Sequence, residues 1–225
     1  MDALQVTEVR TPRGRPATFA TRPDTSDLAT VGATFDLWGN LVDEYRLAGQ
    51  RVAGVFVDVG AHIGTAAIAV LLDNPDAYAI AVEPLPENVD MIHHNARLNG
   101  VSHRLTVMAG AVGTGKPVRI AYGSDVHRYI GCITKRGGVR VPTYTLAALL
   151  AEVGSDAIDL LKTDCEGGEW PLLTADAADL ARVRSIVGEY HTSGPERLHE
   201  LLDATHVLTV EPGGNDTGLF WAVAR

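Results

Sequence analysis

The chain has 225 residues, 46% of them hydrophobic, which suffices for one sizeable core and leaves little over for a second. Its 19 basic and 28 acidic residues give a net charge of −9 that would repel a phosphate backbone, so nucleic acid is not the expected partner. No apolar run approaches the roughly 18 residues that span a bilayer, and the opening MDALQVTEVRTPRGRP has no apolar stretch behind its charges. A cytoplasmic protein with no membrane partner is expected, and nothing in the residues sets an oligomeric state. Cys132 and Cys165 lack CxxC spacing, which argues against a zinc site and a disulfide framework.

In chain order, residues 1–50 read as a helical or irregular cap segment and 51–225 as a single α/β domain. Within the cap, apolar Phe35, Leu37, Trp38, Leu41, Val42, Tyr45 and Leu47 recur at helical spacing and predict an amphipathic helix over 34–47. The run 55–59 is β-branched and apolar on both faces, as a central parallel strand is. A glycine-punctuated turn, a buried helix (65–72), a strand (77–82), a helix (86–99) and a strand (105–109) follow. That alternation predicts a doubly wound, mostly parallel sheet. Residues 117–122 and 138–141 read as two arms of an excursion, and 146–153 as a helix leading to a fourth core strand, 158–163. Helix 171–180, strand 183–189 and helix 195–204 come next. Strands 206–211 and 219–224 form an antiparallel pair around Gly213-Gly214-Asn215-Asp216.

In Asp58-Val59-Gly60-Ala61-His62-Ile63-Gly64-Thr65 the glycines stand between a strand end and a helix start, where a ligand can approach backbone bare of Cβ atoms. Glu83 closes the next strand, 25 residues after Asp58, where a carboxylate can accept hydrogen bonds from both hydroxyls of a ribose, and Pro84 turns the chain away. A dinucleotide would also want a carboxylate there. It needs G-x-G-x-x-G to admit its pyrophosphate, however, and here His62 stands at the central position with no third glycine. A phosphate-free nucleoside such as S-adenosylmethionine fits better, its sulfonium favoured beside Asp58, Glu83 and Asp164. Thr65 at the helix start, Asn88 on the helix after Glu83, and Gly110 and Ala111 past the third strand complete the candidate cofactor set.

The stretch Asp159-Leu160-Leu161-Lys162-Thr163-Asp164-Cys165-Glu166-Gly167-Gly168-Glu169-Trp170 ends the fourth strand on the same sheet edge, where substrate should lie. Asp164 is expected to point into the crevice and Glu166 to face substrate, while Glu169 reads as an acid favouring the N-terminus of the next helix.

Taken together, DVGAHIGT, AVEPLPENVDMIHHNARLNG, TLAALL and LLKTDCEGGEW, in this order, resemble the FkbM family of methyltransferases over roughly residues 20 to 192. The resemblance implies a class I methyltransferase fold, a seven-stranded Rossmann-like sheet ending in an antiparallel hairpin. It also implies S-adenosylmethionine as cofactor and hydroxyls of natural products or sugars as acceptors. By position, Asp58, Gly60 and Gly64 would line the methionine part, Glu83 the ribose, and Asp164 the region of the methyl group. The chain departs from the family's usual residues at His62 (Asn), Ala147 (Asp) and Gly168 (Ala).

Methyl transfer needs in-line approach, and a hydroxyl acceptor must lose its proton. Glu189-Tyr190-His191 at the fifth strand end offers a carboxylate and an imidazole, with His191 the expected general base. Alternatively, Asp164, Glu189 and His191 could hold a divalent cation that polarises the acceptor, although the residue three after Asp164 is Gly167 where metal-dependent relatives of the catechol type carry lysine. Nitrogen or carboxylate acceptors, an NAD-linked oxidoreductase and a catalytically silent nucleoside-binding domain are the other readings. Residues 122–140 carry His127, Arg128, Lys135, Arg136 and Arg140, a basic island expected to cover the site, with Arg128 contacting an anionic small-molecule substrate.

Overall fold

A computed structural model of the protein describes residues 3–123, 130–154, 156–214 and 216–225. The N-terminal segment opens with an antiparallel hairpin, β1 (Gln5–Arg10) and β2 (Pro16–Thr21), followed by helix α1 (Asp27–Thr34). The helix expected over 34–47 is therefore a correction: helix ends where it was expected to begin. Left-handed backbone at Trp38, Gly39, Asp43 and Arg46 breaks any regular repeat, so Phe35, Leu37, Tyr45 and Leu47 are buried one at a time by turns, while Trp38 is left 81% exposed.

The core begins with β3 (Val55–Val59), α2 (Thr65–Asp73), β4 (Tyr78–Glu83), α3 (Pro86–Leu98) and β5 (Leu105–Ala109). An excursion follows, containing β6 (Ala111–Val112), β7 (Val118–Tyr122), β8 (Gly131–Thr134), β9 (Val139–Val141) and β10 (Thr143–Tyr144). Strands β8-β7-β9 form a small antiparallel sheet, so the two expected arms gain a third strand, while β6 and β10 pair in parallel beside it. The chain returns through α4 (Leu146–Val153), β11 (Leu160–Thr163), α5 (Glu169–Leu173), α6 (Ala177–Leu180), β12 (Ser185–His191), α7 (Gly194–Leu202), β13 (His206–Pro212) and β14 (Thr217–Ala224). The single helix expected over 171–180 is in fact two, because Asp176 is extended (ψ 141°) and restarts the chain at α6.

The main sheet has seven strands in the order β13-β14-β12-β11-β3-β4-β5. Five strands, β12 to β5, run parallel, and β14 is antiparallel to both β12 and β13. This is the Rossmann-like, class I architecture with its C-terminal antiparallel hairpin. Alternation along each strand divides the core into two layers. Phe56, Ala79, Leu160 and Val187 face α2, α3 and the N-terminal segment, while Val57, Ile80, Leu161 and Ile186 face α4 to α7. Helix α2 is buried almost all round because sheet and N-terminal segment cover it from both sides. Truncating its Ile68 or Leu71, each 0% exposed, to alanine would cost about 2–5 kcal/mol.

The hairpin is pinned by asparagines of α3. Asn99 accepts from the Thr18 amide at 2.9 Å and Asn95 from the Ala20 amide at 2.9 Å, satisfying the outer edge of β2. Among the described residues, no helix is long and apolar enough to cross a membrane.

Candidate active site

At the carboxyl ends of β3, β4 and β11 lies a cavity of about 330 Å³, within the range that holds a small ligand. Its floor is the glycine turn after β3. Gly60 has φ +73°, and a Cβ there would lie 1.8 Å from the Asp164 carbonyl oxygen, so the β3 and β11 loops can close on each other only without a side chain. Gly60, His62 and Thr65 line the cavity. Gly64 does not: it adopts φ +87° at the N-cap of α2 and faces Ile68 and Ile92.

Asp58 was expected at the methionine end and is displaced from it by burial. It is 0% exposed behind the turn, one carboxylate oxygen accepting from the Ala67 amide at 3.0 Å and the other 3.2 Å from Lys162 Nζ. Lys162, not anticipated, is the structural key to this corner. Its ammonium also donates to the Gly60 carbonyl at 3.0 Å and lies 5.2 Å from the centre of the Tyr45 ring. Burial alone would lower its pKa, but the carboxylates of Asp58 and Asp164 hold it above the ordinary lysine value. A lysine inside an otherwise apolar strand was the available signal, since such a charge must find partners.

Glu83 lies where expected, at the tip of β4 against the cavity, and is 3% exposed. One oxygen accepts from the His62 amide at 2.9 Å, the other from the Leu85 amide and Asn88 Nδ2, both at 3.0 Å. Burial outweighs these bonds and pushes its pKa up to about 7. Asn88 therefore meets Glu83 and stands behind it, whereas Pro84, Gly110 and Ala111 line the cavity itself. His62, left-handed at φ +52°, is buried, which lowers its pKa to about 4 despite Asp27 at 3.4 Å, so the ring is neutral at pH 7. Neither ring nitrogen makes a hydrogen bond among the described residues.

On the opposite wall, Asp164 and exposed Glu166 line the cavity as anticipated. Tyr45 donates its hydroxyl to Asp164 at 2.7 Å, and burial, with Asp164 beside it, raises the phenol well above its ordinary pKa. Glu44 also lines this wall, its pKa raised by burial and by Asp164. Neither residue is expected at the site from the sequence, because both come from the irregular N-terminal segment that reads as helix, Tyr45 among its apolar residues.

Beyond Asp164 stand Glu189 and His191, and one ligand-capable atom from each of the three lies within 4.8 Å of the others. Glu169 explains their arrangement: it stands in the first turn of α5 as expected, and its carboxylate also reaches beyond the helix. It is 0% exposed and accepts from the Gly167 amide at 2.9 Å and the His191 amide at 2.7 Å, with His191 Nδ1 at 3.2 Å. Burial lowers the His191 pKa, but the Glu169 bond and charge override it and carry the ring up to about 9. Burial and Asp164 push Glu189 up to about 7. A protonated imidazole is a poor general base at neutral pH, and the carboxylate of Glu189 lies 3.8 Å from its Nε2. His127 and Arg128 of the basic island lie outside the described residues.

The family profile described as Methyltransferase FkbM domain matches residues 58–210, more than half of the chain. The chain belongs to the FkbM methyltransferase family. It thus carries an S-adenosylmethionine-dependent methyltransferase domain, and the oxidoreductase reading falls away. No curated protein matches the sequence. Among solved structures, an uncharacterized protein from Listeria monocytogenes serotype 4b is similar in fold at TM-score 0.52 and 16% identity; the match covers 80% of this chain and 65% of that one, under two thirds of its length. A putative tRNA (m1A22) methyltransferase from Streptococcus pneumoniae gives TM-score 0.49 at 14% identity, covering 80% and 68% of the two chains. A precorrin-6y C5,15-methyltransferase from Geobacter metallireducens gives 0.47 at 14%, covering 84% and 90%.

Proposed function

We propose that this FkbM domain transfers a methyl group from S-adenosylmethionine to a hydroxyl of a small molecule in the cytoplasm. The residues fit the cofactor: a buried carboxylate, Glu83, faces a cavity of nucleoside size, and the unpartnered ring of His62 stands beside it. Glu83 would hold the ribose hydroxyls, the Gly60 turn with Thr65 the methionine part, and Pro84, Gly110 and Ala111 the base. The cofactor supplies an electrophilic methyl group on a sulfonium.

The observation that carries the hydroxyl reading is the polar wall across the cavity from Glu83. There Asp164, anchored by Tyr45, leads to Glu189, whose carboxylate beside the His191 imidazolium would offer an oxygen nucleophile both a hydrogen-bond acceptor and a destination for its proton. Positioning supplies much of the acceleration. The net charge of −9 favours a small acceptor over a nucleic acid. The deciding experiment is tritiated-methyl transfer to panels of hydroxylated metabolites, amines, carboxylic acids and tRNA. Label entering only amines, acids or tRNA overturns the proposal, and full activity of Asp164→Asn removes that residue from the site.

A second reading is favoured by one observation, the convergence of Asp164, Glu189 and His191 within 4.8 Å, the ligand set of a divalent cation that would polarise the acceptor oxygen. Transfer abolished by a chelator and restored by added Mg²⁺ or Mn²⁺ selects it over the metal-free route.

A further inference from the structure

The matched domain begins at Asp58, yet the cavity is walled in part by α1, through Ala29, Thr30, Ala33 and Thr34. The N-terminal segment also reaches the cavity through polar contacts. Asp27, 0% exposed, receives the Arg22 amide at 2.9 Å, Nε at 2.8 Å and Nη2 at 2.8 Å. The same Nη2 donates to Asn88 Oδ1 at 2.8 Å, Asn88 Nδ2 donates to Glu83 Oε1 at 3.0 Å, and the His62 amide donates to Glu83 Oε2 at 2.9 Å. His62 Nε2 lies 3.4 Å from Asp27 Oδ1 without a hydrogen bond, so the two ends of this run of contacts come together beside the cavity.

The direction of these bonds has a consequence. An asparagine amide can present either its oxygen or its NH2 group to a neighbour, and only the surrounding donors and acceptors decide which. A guanidinium has donors alone and the Glu83 oxygen accepts at this contact, so both partners hold Asn88 with its oxygen toward Arg22 and its NH2 toward Glu83. Without Arg22, Asn88 Oδ1 loses its guanidinium donor, and the amide that orients Glu83 is held less firmly. The hairpin clamped to Asn95 and Asn99 of α3 fixes Arg22 in turn.

We propose that Arg22 and Asp27 are positioning residues for the cofactor's ribose, acting through Asn88 and His62 to hold Glu83 in the orientation that accepts the two hydroxyls. The N-terminal segment is then a working part of the cofactor site. This rests on the reading of Glu83 as the ribose acceptor, and the test separates the two.

Calorimetry with S-adenosylhomocysteine and with its 2′,3′-dideoxy analogue, run on the full chain, supplies the readout. Arg22→Gln, and Arg22→Lys, which keeps the charge opposite Asp27 but not the fork of donors, are expected to weaken S-adenosylhomocysteine about tenfold and leave the analogue unchanged. In turnover, KM for S-adenosylmethionine should rise with kcat at saturation preserved. Equal weakening of both ligands indicates general loosening and overturns the proposal, as does unchanged binding of both in the better-folded lysine variant. Glu83→Gln is the control: if it too leaves S-adenosylhomocysteine unaffected, the ribose reading itself fails. If only Glu83→Gln weakens binding, the run of contacts alone is refuted.

Discussion

As the proposed ribose acceptor, Glu83 would couple cofactor binding to pH. Its carboxyl titrates near 7 in the folded chain against 4.5 in the open, a preference for the protonated form of roughly 3 kcal/mol. Because the folded value is the higher, this contribution to stability is fully present below 4.5 and is lost as pH rises through 7. The urea midpoint should therefore fall between pH 5 and pH 8, and Glu83→Gln should flatten that slope. Ribose hydroxyls donate hydrogen bonds and so favour the ionised carboxylate, which reverses the sign for the ligand. Affinity should rise with pH, and binding at pH 6.5 should expel a proton from the fraction of Glu83 still protonated, at most about 0.8 per site. Calorimetric titration with S-adenosylhomocysteine in buffers of different ionisation enthalpy measures that number directly. No buffer dependence in the parent protein, or the same release in Glu83→Gln, would refute the placement of the ribose on this carboxylate.

Three further substitutions probe the crevice. Lys162→Met removes the cation paired with buried Asp58, leaving it, among the described residues, only the Ala67 amide, and should cost about 3–5 kcal/mol in urea unfolding; an unchanged midpoint would show that the pair is not what holds the corner. Tyr45→Phe removes a charge-assisted hydrogen bond to Asp164 and should lower stability by about 1.5 kcal/mol together with kcat, and a fall in stability with kcat untouched would separate Tyr45 from the chemistry. Gly60→Ala drives a Cβ onto the Asp164 carbonyl and adds left-handed strain, so thermal unfolding should show a loss of several kcal/mol; near-neutral behaviour would mean the two loops part easily.

Much of the fold was legible because parallel strands buried on both faces write themselves as short apolar runs. β3, β4, β5 and β12 all fall close to their expected places, as does the terminal hairpin. The N-terminal segment was misread because its apolar residues are buried by turns with positive φ, which leave helix-like spacing without a helix. Within the site, the strand-end residues Gly60, Glu83 and Asp164 announced themselves by position. Tyr45 and Glu44 arrive from more than a hundred residues away from their partner Asp164, and no local pattern marks such a meeting. His191 stands at its strand end as expected, but its contact with Glu169, 22 residues away in the chain, has no local signature.

Local pattern by itself determined the order of the core strands and most of their helices, the glycine turn, the carboxylate at the end of the second core strand and, through its motifs, the family. These features depend on backbone conformation and on periodic burial, which neighbours in the chain dictate. Tertiary structure alone decided that Asp58 turns inward to Lys162, that Glu169 holds His191 as a cation, and that Arg22 and Asp27 reach Glu83. Charge and hydrogen bonding act across space between segments remote in sequence, and only packing sets those distances.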